Sequence, residues 1–197
     1  MIKRLFDIVF SIIGLFVTSP IFLVVAFLIK KSSTGPVFYR AQRVGKNGKL
    51  FTMYKFRTMV VNADKIGGPS TPIDDPRLTK IGMLLKRFQL DELPQLINVL
   101  KGDMSLVGPR PEVKVYADIM TDEEKSVILS VRPGITDFAS LWNFHEGDIL
   151  KGAKDPEKEY MEKIRPEKLR LQIKYVKERS FLVDMKIIFK TVLKVFK

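Results

Sequence analysis

The chain has 197 residues, enough for one domain with a proper core, and a second core of normal size would be cramped. Its 34 Lys and Arg against 22 Asp and Glu give a formal net charge of +12, which favours a polyanionic partner such as phospholipid, nucleic acid or a phosphorylated substrate. The absence of Cys excludes disulfides and cysteine metal clusters, and the single His145 argues against a histidine zinc site, so a bound metal should have oxygen ligands.

The N-terminal segment predicts a membrane helix. Residues 8–29 form a stretch of 22 positions without a charge, which matches the roughly 30 Å of a bilayer core. Ser19 and Pro20 lie near its midpoint and basic pairs flank both ends, which favours a re-entrant helix-break-helix with both ends cytoplasmic. A kinked helix that crosses the membrane once is the alternative, and the residues by themselves leave both open.

A small β-hairpin is expected next. Residues 37–39 and 50–54 have the pattern of its strands, and Lys55 and Arg57 follow on one face of the second strand. Residues 62–76 are rich in Gly and Pro, which is typical of a mobile lid or of a surface excursion.

Helical periodicity dominates the rest of the chain. Asp91 is placed to cap the second of the expected helices, and Gly102 to end it. An irregular stretch is expected at residues 142–152. The expected helices cover residues 79–90, 91–101, 121–130 and 157–177.

The C-terminus concentrates positive charge, with 10 basic and 3 acidic residues in the last 33. Lysines recur at helical spacing there, opposite an apolar face. This pattern predicts a basic amphipathic helix on an anionic membrane surface, and a solvated helix packed on the domain is the alternative. The basic positions are Lys186, Lys190, Lys194 and Lys197, and the apolar positions are Met185, Ile188, Phe189, Val192 and Phe196.

Two adjacent carboxylates mark the candidate active site. Asp91 and Glu92 come at an expected helix start, where free amides and the helix dipole favour phosphate. Taken alone, such a pair is most often a structural cap. However, Lys86 and Arg87 lie just upstream, and Arg110 lies downstream between two prolines, which favours a preorganised phosphate or base contact. Taken alone, such an arginine more often belongs to an exposed rigid turn.

These motifs closely resemble the bacterial sugar transferase family, and among its members the small monotopic phosphoglycosyl transferases. The resemblance covers nearly the whole chain. It includes Ser19-Pro20, which matches the family's broken re-entrant helix. The matching segments are residues 42–43, 54–59, 91–96, 98–105, 107–111, 132–136 and 180–184.

The resemblance implies an α+β, mainly helical fold on the cytoplasmic face of the bacterial inner membrane. Residues 1–31 would form the re-entrant membrane helix. Residues 32–180 would form the cytoplasmic catalytic domain with its small β-hairpin. Residues 181–197 would form an amphipathic interfacial helix of the same domain.

The resemblance also implies an activity: transfer of a sugar 1-phosphate from a UDP-sugar to polyprenol (undecaprenyl) phosphate, with release of UMP. Such transfer is the first membrane step of a bacterial glycoconjugate or polysaccharide pathway, such as lipopolysaccharide or capsule. Asp91 would be the nucleophile and form an aspartyl phosphosugar, with Lys55 positioning it and Mg²⁺ on Asp91 and Glu92. The implied substrate contacts are Arg110, Lys86, Arg87, Arg57 and Arg132.

One region departs from the family's commonest pattern, at residues 137–148, and this departure leaves the sugar specificity open. Trp142 is a candidate for stacking on a sugar, and Glu146 or Asp148 for binding hydroxyls, although packing and surface capping are the commoner roles of such residues.

Two other functions compete with phosphosugar transfer. A membrane-anchored adaptor for anionic lipid or nucleic acid would explain the charge but leave the Asp-Glu and Pro-Arg-Pro motifs unused. A glycosyl transferase that moves only the sugar would release UDP instead of UMP. We expect no nucleic-acid partner, because no RNA-binding motif accompanies the membrane segment, and a homodimer is left open.

Overall fold

The computed structural model describes residues 2–195, and within that range the chain is mainly helical with two small sheets. The α+β class is confirmed. The helices are α1 (Ile2–Ser32), α2 (Lys80–Arg87), α3 (Gln95–Lys101), α4 (Lys114–Asp118), α5 (Asp122–Ile128), α6 (Phe138–Trp142), α7 (Glu146–Ile149), α8 (Pro156–Glu159), α9 (Arg165–Glu178) and α10 (Phe181–Val195). The strands are β1 (Phe38–Val44), β2 (Leu50–Phe56), β3 (Ser105–Val107) and β4 (Gly134–Thr136).

Within the described range, α1 is the one helix long and apolar enough to cross a membrane. The sequence predicted two helical segments with a break at Ser19 and Pro20, whereas the helix continues through both residues. Pro20 has no N–H for the carbonyl of Phe16, and the hydroxyl of Ser19 donates to that carbonyl at 2.8 Å. The side chain therefore replaces the missing backbone bond, and helical conformation persists.

Both halves of α1 pack against the rest of the chain. Arg4 donates to two backbone carbonyls in the last turn of α3, at 2.7 and 3.2 Å. Asp7 is buried and accepts hydrogen bonds from the Ser105 hydroxyl at 2.8 Å and from the backbone of β3 at 3.2 Å. Val25 and Ile29, near the other end, belong to a core cluster with residues of β2 and α2. One domain thus holds both ends of the helix.

The predicted hairpin is confirmed, with longer strands than expected. β1 and β2 pair antiparallel from Phe38 opposite Phe56 to Val44 opposite Leu50. Asn98 of α3 is fully buried and accepts from the backbone N–H of β2 at 2.9 Å while donating to a β2 carbonyl at 2.7 Å. This amide fixes β2 against α3 and thereby orients the end of the strand.

The segment between α2 and α3 differs from its prediction. Helix α2 ends at Arg87, three residues early. Asp91 does not cap a helix, and that prediction is wrong: the residue lies in a 3₁₀ turn, Leu90–Glu92, and α3 begins at Gln95 without a side-chain cap. A left-handed residue, Gln89, lies between α2 and the turn, and the Asp91 side chain makes no capping hydrogen bond at the start of α3. Gly102 ends α3 with φ +90°, as predicted.

A second, parallel sheet was not predicted. β3 pairs with β4 through Ser105 opposite Gly134 and Val107 opposite Thr136. A Cβ atom on Gly134 would lie 2.0 Å from the backbone nitrogen of Gly108, so only glycine permits this approach. The pairing joins the Pro-Arg-Pro segment after β3 to the segment that contains the departure from the family pattern.

The C-terminal region forms a series of helices. The helix predicted over residues 157–177 is instead α8, one turn of π-helix (Tyr160–Ile164) and α9, because a wide turn interrupts the α-helical pattern. The predicted irregular stretch contains the short α7. Helix α10 confirms the C-terminal helix, while Phe196 and Lys197 lie outside the described residues. Asp184 of α10 is buried and accepts from Tyr175 at 2.8 Å and from Lys3 at 2.5 Å.

The Asn98→Leu variant should lower the free energy of unfolding by about 2 to 4 kcal/mol, because it leaves two backbone groups of β2 buried without partners. Thermal unfolding of the purified protein in detergent checks this. Gln42→Leu is the matched control, since the hydrogen bond that its side-chain amide donates to Thr52 is exposed to solvent. Equal stability of the two variants would contradict the role assigned to Asn98.

Candidate active site

The site is a cavity of about 1740 Å³ between the hairpin, the α2–α3 segment, the Pro-Arg-Pro segment and the start of α7. Most of the residues that the sequence singled out lie in its wall. The predicted site residues that line it are Lys55, Arg57, Lys86, Arg87, Asp91, Glu92 and Arg110. Arg132 is exposed and outside this wall, where its Nε donates to the carbonyl of Gly102 at 2.8 Å.

The turn that carries the two carboxylates begins with a conformation uncommon for its residue. Gln89 has φ +55°, and its side-chain amide donates to the carbonyl of Phe144 at 3.1 Å. A left-handed residue other than glycine raises the energy by about 1 to 3 kcal/mol and is found preferentially at functional sites. No local sequence pattern marks Gln89. Its bond to Phe144 ties the carboxylate turn to the wall formed by residues 137–148.

Glu92 is the centre of an ion-pair cluster. Lys55, at the end of β2, places Nζ 2.8 Å from Oε1 of Glu92. Arg110 donates through one terminal nitrogen to Oε2 at 2.9 Å and through the other to Oε1, which makes the pair bidentate. Three separate segments of the chain therefore meet at one buried carboxylate.

Asp91 makes a looser contact with the same cations. Its Oδ2 lies 3.7 Å from Nζ of Lys55, which is beyond hydrogen-bond distance, and the side chain is buried at the cavity wall. Burial raises the pKa of Asp91, and Lys55 offsets that effect in part. The anionic form of Asp91 is therefore less stabilised than that of an exposed aspartate. A less stabilised carboxylate is a better nucleophile, which favours bond formation at its oxygen.

Glu92 has the opposite electrostatic balance. Burial acts to raise its pKa, but the charges of Arg110 and Lys55 outweigh burial and hold the pKa far below the ordinary glutamate value. The pKa of Lys86, which also lines the cavity, is lowered by burial, although Asp91 raises it in part. Adjacent carboxylates with opposite shifts indicate two different roles.

The loop of residues 62–76 forms a fixed part of the cavity wall. Arg77 is buried, pairs with Asp75 at 2.7 Å and donates to the backbone carbonyls of Ala63 and Gly68 at 3.1 and 3.0 Å. Glu157 of α8 accepts from the backbone nitrogen of Ser70 at 2.7 Å. The sequence left a mobile lid and a surface excursion open; in the structure, the loop lines the cavity and is anchored by these hydrogen bonds.

The wall at residues 137–148 places some predicted sugar contacts in the cavity. Glu146 and Asp148 line it, and the side-chain amide of Asn143 donates to Glu146 at 2.8 Å. Trp142 is 44% exposed and does not line the cavity, so it is not positioned to stack on a ligand there. Sequence reasoning missed Asn143, whose only signal is its spacing of three residues from Glu146.

A buried pair at the far wall was also missed. Nζ of Lys168 lies 2.6 Å from Oε1 of Glu112 and donates to the Tyr160 hydroxyl at 2.9 Å. Burial raises the pKa of Tyr160 to about 12, so the phenol remains a neutral hydrogen-bonding group. These residues come from α9, the Pro-Arg-Pro segment and the π turn, and no short motif connects them.

Among residues 2–195, no group of three or more His, Asp or Glu side chains has the arrangement of a metal site. A divalent cation would therefore depend on Asp91, with Glu92 already paired to Lys55 and Arg110. Mg²⁺ commonly binds one or two carboxylates together with substrate phosphates, and this donor set fits that mode.

Comparison with known proteins identifies the relationship. The family model described as "Bacterial sugar transferase" matches residues 1–197. The chain is 40% identical over 200 residues to the "UDP-glucose:undecaprenyl-phosphate glucose-1-phosphate transferase" of Escherichia coli, with all of this chain and 40% of that protein covered.

Two further relatives have related names. The "UDP-N-acetylgalactosamine-undecaprenyl-phosphate N-acetylgalactosaminephosphotransferase" of Aeromonas hydrophila is 37% identical over 97% of this chain and 43% of its own length. The "Exopolysaccharide production protein ExoY" of Sinorhizobium fredii is 37% identical over 96% of this chain and 83% of its own length.

Proposed function

The chain belongs to the bacterial sugar transferase family, and we propose that it moves a sugar 1-phosphate from a UDP-sugar to undecaprenyl phosphate with release of UMP. The observation that carries this proposal is the pair of adjacent buried carboxylates, of which Glu92 is neutralised by two cations and Asp91 is left loosely paired. The names of two relatives contain a UDP-sugar donor and an undecaprenyl phosphate acceptor. Family membership also disfavours a non-catalytic adaptor.

In the first step, an oxygen of Asp91 attacks the phosphorus that bears the sugar. The bond from that phosphorus to the UMP oxygen breaks, UMP leaves, and an aspartyl phosphosugar remains. Lys55, 3.7 Å from Asp91, orients the carboxylate and neutralises charge on the phosphoryl oxygens. Arg110 and Lys86, at the same wall, are placed to bind the remaining phosphate.

In the second step, a phosphate oxygen of the lipid attacks the same phosphorus. The bond to Asp91 breaks, which regenerates the carboxylate and leaves a diphosphate between lipid and sugar. Two displacements at one phosphorus retain the sugar's own bonds, so the released nucleotide is UMP rather than UDP. Detection of UDP instead would favour a transferase that moves only the sugar.

Mg²⁺ is part of the proposal. When bound at Asp91 and the donor diphosphate, with Glu92 nearby, it would neutralise phosphate charge. The fit rests on the chemistry of the available ligands: the Asp91 carboxylate lines the cavity and supplies oxygen atoms, which Mg²⁺ prefers.

We also propose a monotopic arrangement on the cytoplasmic face of the bacterial inner membrane; the contacts of α1 support the part of this proposal that has the helix enter the bilayer without crossing it. At about 1.5 Å per residue, its 31 residues would span roughly 46 Å if straight. Arg4 and Asp7 at one end and Ile29 at the other nevertheless contact the same domain. A helix that crossed the bilayer would place those contacts on opposite sides. The exposed apolar side chains of its middle, such as Phe16 and Leu23, would then enter one leaflet.

The variant Asp91→Asn should lower turnover by at least about 10³-fold, because an amide cannot act as the nucleophile. The assay measures UMP release with a panel of UDP-sugars and undecaprenyl phosphate, and mass spectrometry measures the phosphosugar adduct on the protein. Asp118→Asn is the matched control, since that carboxylate is exposed and pairs only with Lys114. Normal turnover of Asp91→Asn would remove Asp91 from the nucleophilic role.

Chelation with EDTA should stop UMP release, and added Mg²⁺ should restore it. The test uses the wild-type protein and measures the rate against free Mg²⁺ concentration at several UDP-sugar concentrations. A full rate in metal-free buffer would count against the metal.

For topology, single cysteines at Ile2 and Lys31 should both resist a membrane-impermeant thiol reagent in intact cells and react once the membrane is opened. Both positions are exposed, and the chain has no other Cys. A cysteine at Lys49, in the hairpin turn, is the control for the cytoplasmic domain. Labelling of Ile2→Cys alone from outside would establish a crossing helix.

A further inference from the structure

Among the residues that the structure describes, one buried cation of the cavity wall has no acidic partner. Arg57 is 6% exposed, and its terminal nitrogens donate to the carbonyls of Thr34 and, at 3.0 Å, Ser33, just beyond α1. Its Nε is buried without a hydrogen-bond partner. Burial lowers the pKa of Arg57, and no carboxylate within residues 2–195 opposes that effect.

Burial of a charge without an ionic partner is energetically unfavourable. A buried charge is normally paired, and helix-end carbonyls offer only partial negative charge. Arg57 therefore differs from Arg110 and Arg77, which both pair with carboxylates. A ligand with one or two negative charges would neutralise the buried charge of Arg57. A phosphate is such a ligand, and its oxygens match the geometry of the guanidinium group.

The position of Arg57 brings such a phosphate close to the nucleophile. Arg57 comes two residues after Lys55, which lies 3.7 Å from Asp91. Two residues of extended chain cover about 7 Å, so a phosphate at Arg57 would be within a short movement of a phosphorus held on Asp91. Both residues line the same cavity.

Apolar, partly exposed side chains line the same cavity as Arg57. Phe38, Val61 and Phe88 line the cavity and are 38%, 47% and 44% exposed. A Cβ atom on Gly35 would lie 2.5 Å from Nη1 of Arg57 and 2.8 Å from the Val61 side chain. The Val61 side chain and the Arg57 guanidinium therefore both lie next to Gly35, just beyond the end of α1.

We propose that Arg57 binds the phosphate of the lipid acceptor and that Phe38, Val61 and Phe88 receive the first isoprene units. The inference rests on the proposed function and assigns its acceptor subsite. A charged head joined to an apolar chain matches a cation bordered by apolar side chains beside α1. The donor diphosphate is a second source of phosphate, and the two half-reactions separate the sources.

The test compares Arg57→Gln with wild type in the full-length purified protein. The first half-reaction is measured without acceptor, as exchange of labelled UMP into a UDP-sugar on which wild type is active. The complete reaction is then measured as a function of undecaprenyl phosphate concentration. We expect UMP exchange within about twofold of wild type and a KM for undecaprenyl phosphate raised by roughly tenfold or more, since a hydrogen bond to a charged group is removed. Arg57→Lys should recover part of the loss.

Two further variants complete the design. Phe88→Ser changes an exposed side chain and should raise the acceptor KM without affecting UMP exchange, which keeps the proposal testable if Arg57→Gln folds poorly. Arg170→Gln is the matched control, because this arginine is exposed, pairs with Glu167 and lies outside the cavity wall. It should change neither measurement.

Three results would overturn the acceptor subsite: an unchanged acceptor KM in Arg57→Gln, a parallel loss of UMP exchange, or a raised KM for the UDP-sugar alone. The last result would assign Arg57 to the donor. Absence of UMP release by wild type with every UDP-sugar in the presence of undecaprenyl phosphate would instead reject the proposed function, and the acceptor subsite with it.

Discussion

The site depends on the burial of one charged group, Glu92. A buried carboxylate is strongly unfavourable unless it is paired, and here Lys55 and Arg110 supply the pairing from two other segments. Loss of either cation would leave Glu92 with one partner instead of two, and loss of both would leave an uncompensated buried charge, which typically destabilises by about 3 to 5 kcal/mol. The contact of the hairpin, the carboxylate turn and the Pro-Arg-Pro segment therefore compensates the buried charge, and the same contact assembles the site.

The pairing of Glu92 also determines the character of Asp91. Because both terminal nitrogens of Arg110 donate to Glu92, the ion-pair contact of Asp91 is the 3.7 Å approach to Lys55, and burial raises the pKa of Asp91. Two adjacent carboxylates of nearly equal burial thus acquire opposite shifts. One is a permanent anion that holds cations in place, and the other has an oxygen available for a phosphorus. The structural role of the first creates the chemical role proposed for the second.

Local sequence pattern predicted the hairpin, α2, the end of α3 at Gly102 and most cations of the cavity, because these depend on turn residues, periodicity and short motifs. The prediction failed where the local conformation is determined by contacts between residues far apart in the sequence. Asp91 was expected as a cap, but Gln89 adopts a left-handed conformation tied to Phe144, and this redirects the turn. The β3–β4 pairing depends on close contact between distant backbone segments, which no local period reveals.

The membrane helix is mechanically continuous with this site. Arg4 binds carbonyls at the end of α3, and α3 directly follows the carboxylate turn, while Arg57 binds carbonyls just beyond the other end of α1. In the proposed monotopic arrangement, the depth of α1 in the bilayer would therefore set the height of Asp91 above the membrane surface. A water-soluble donor and a membrane-held acceptor can reach one phosphorus only at that height. Fixing both ends of the helix to the domain is a direct way to maintain it.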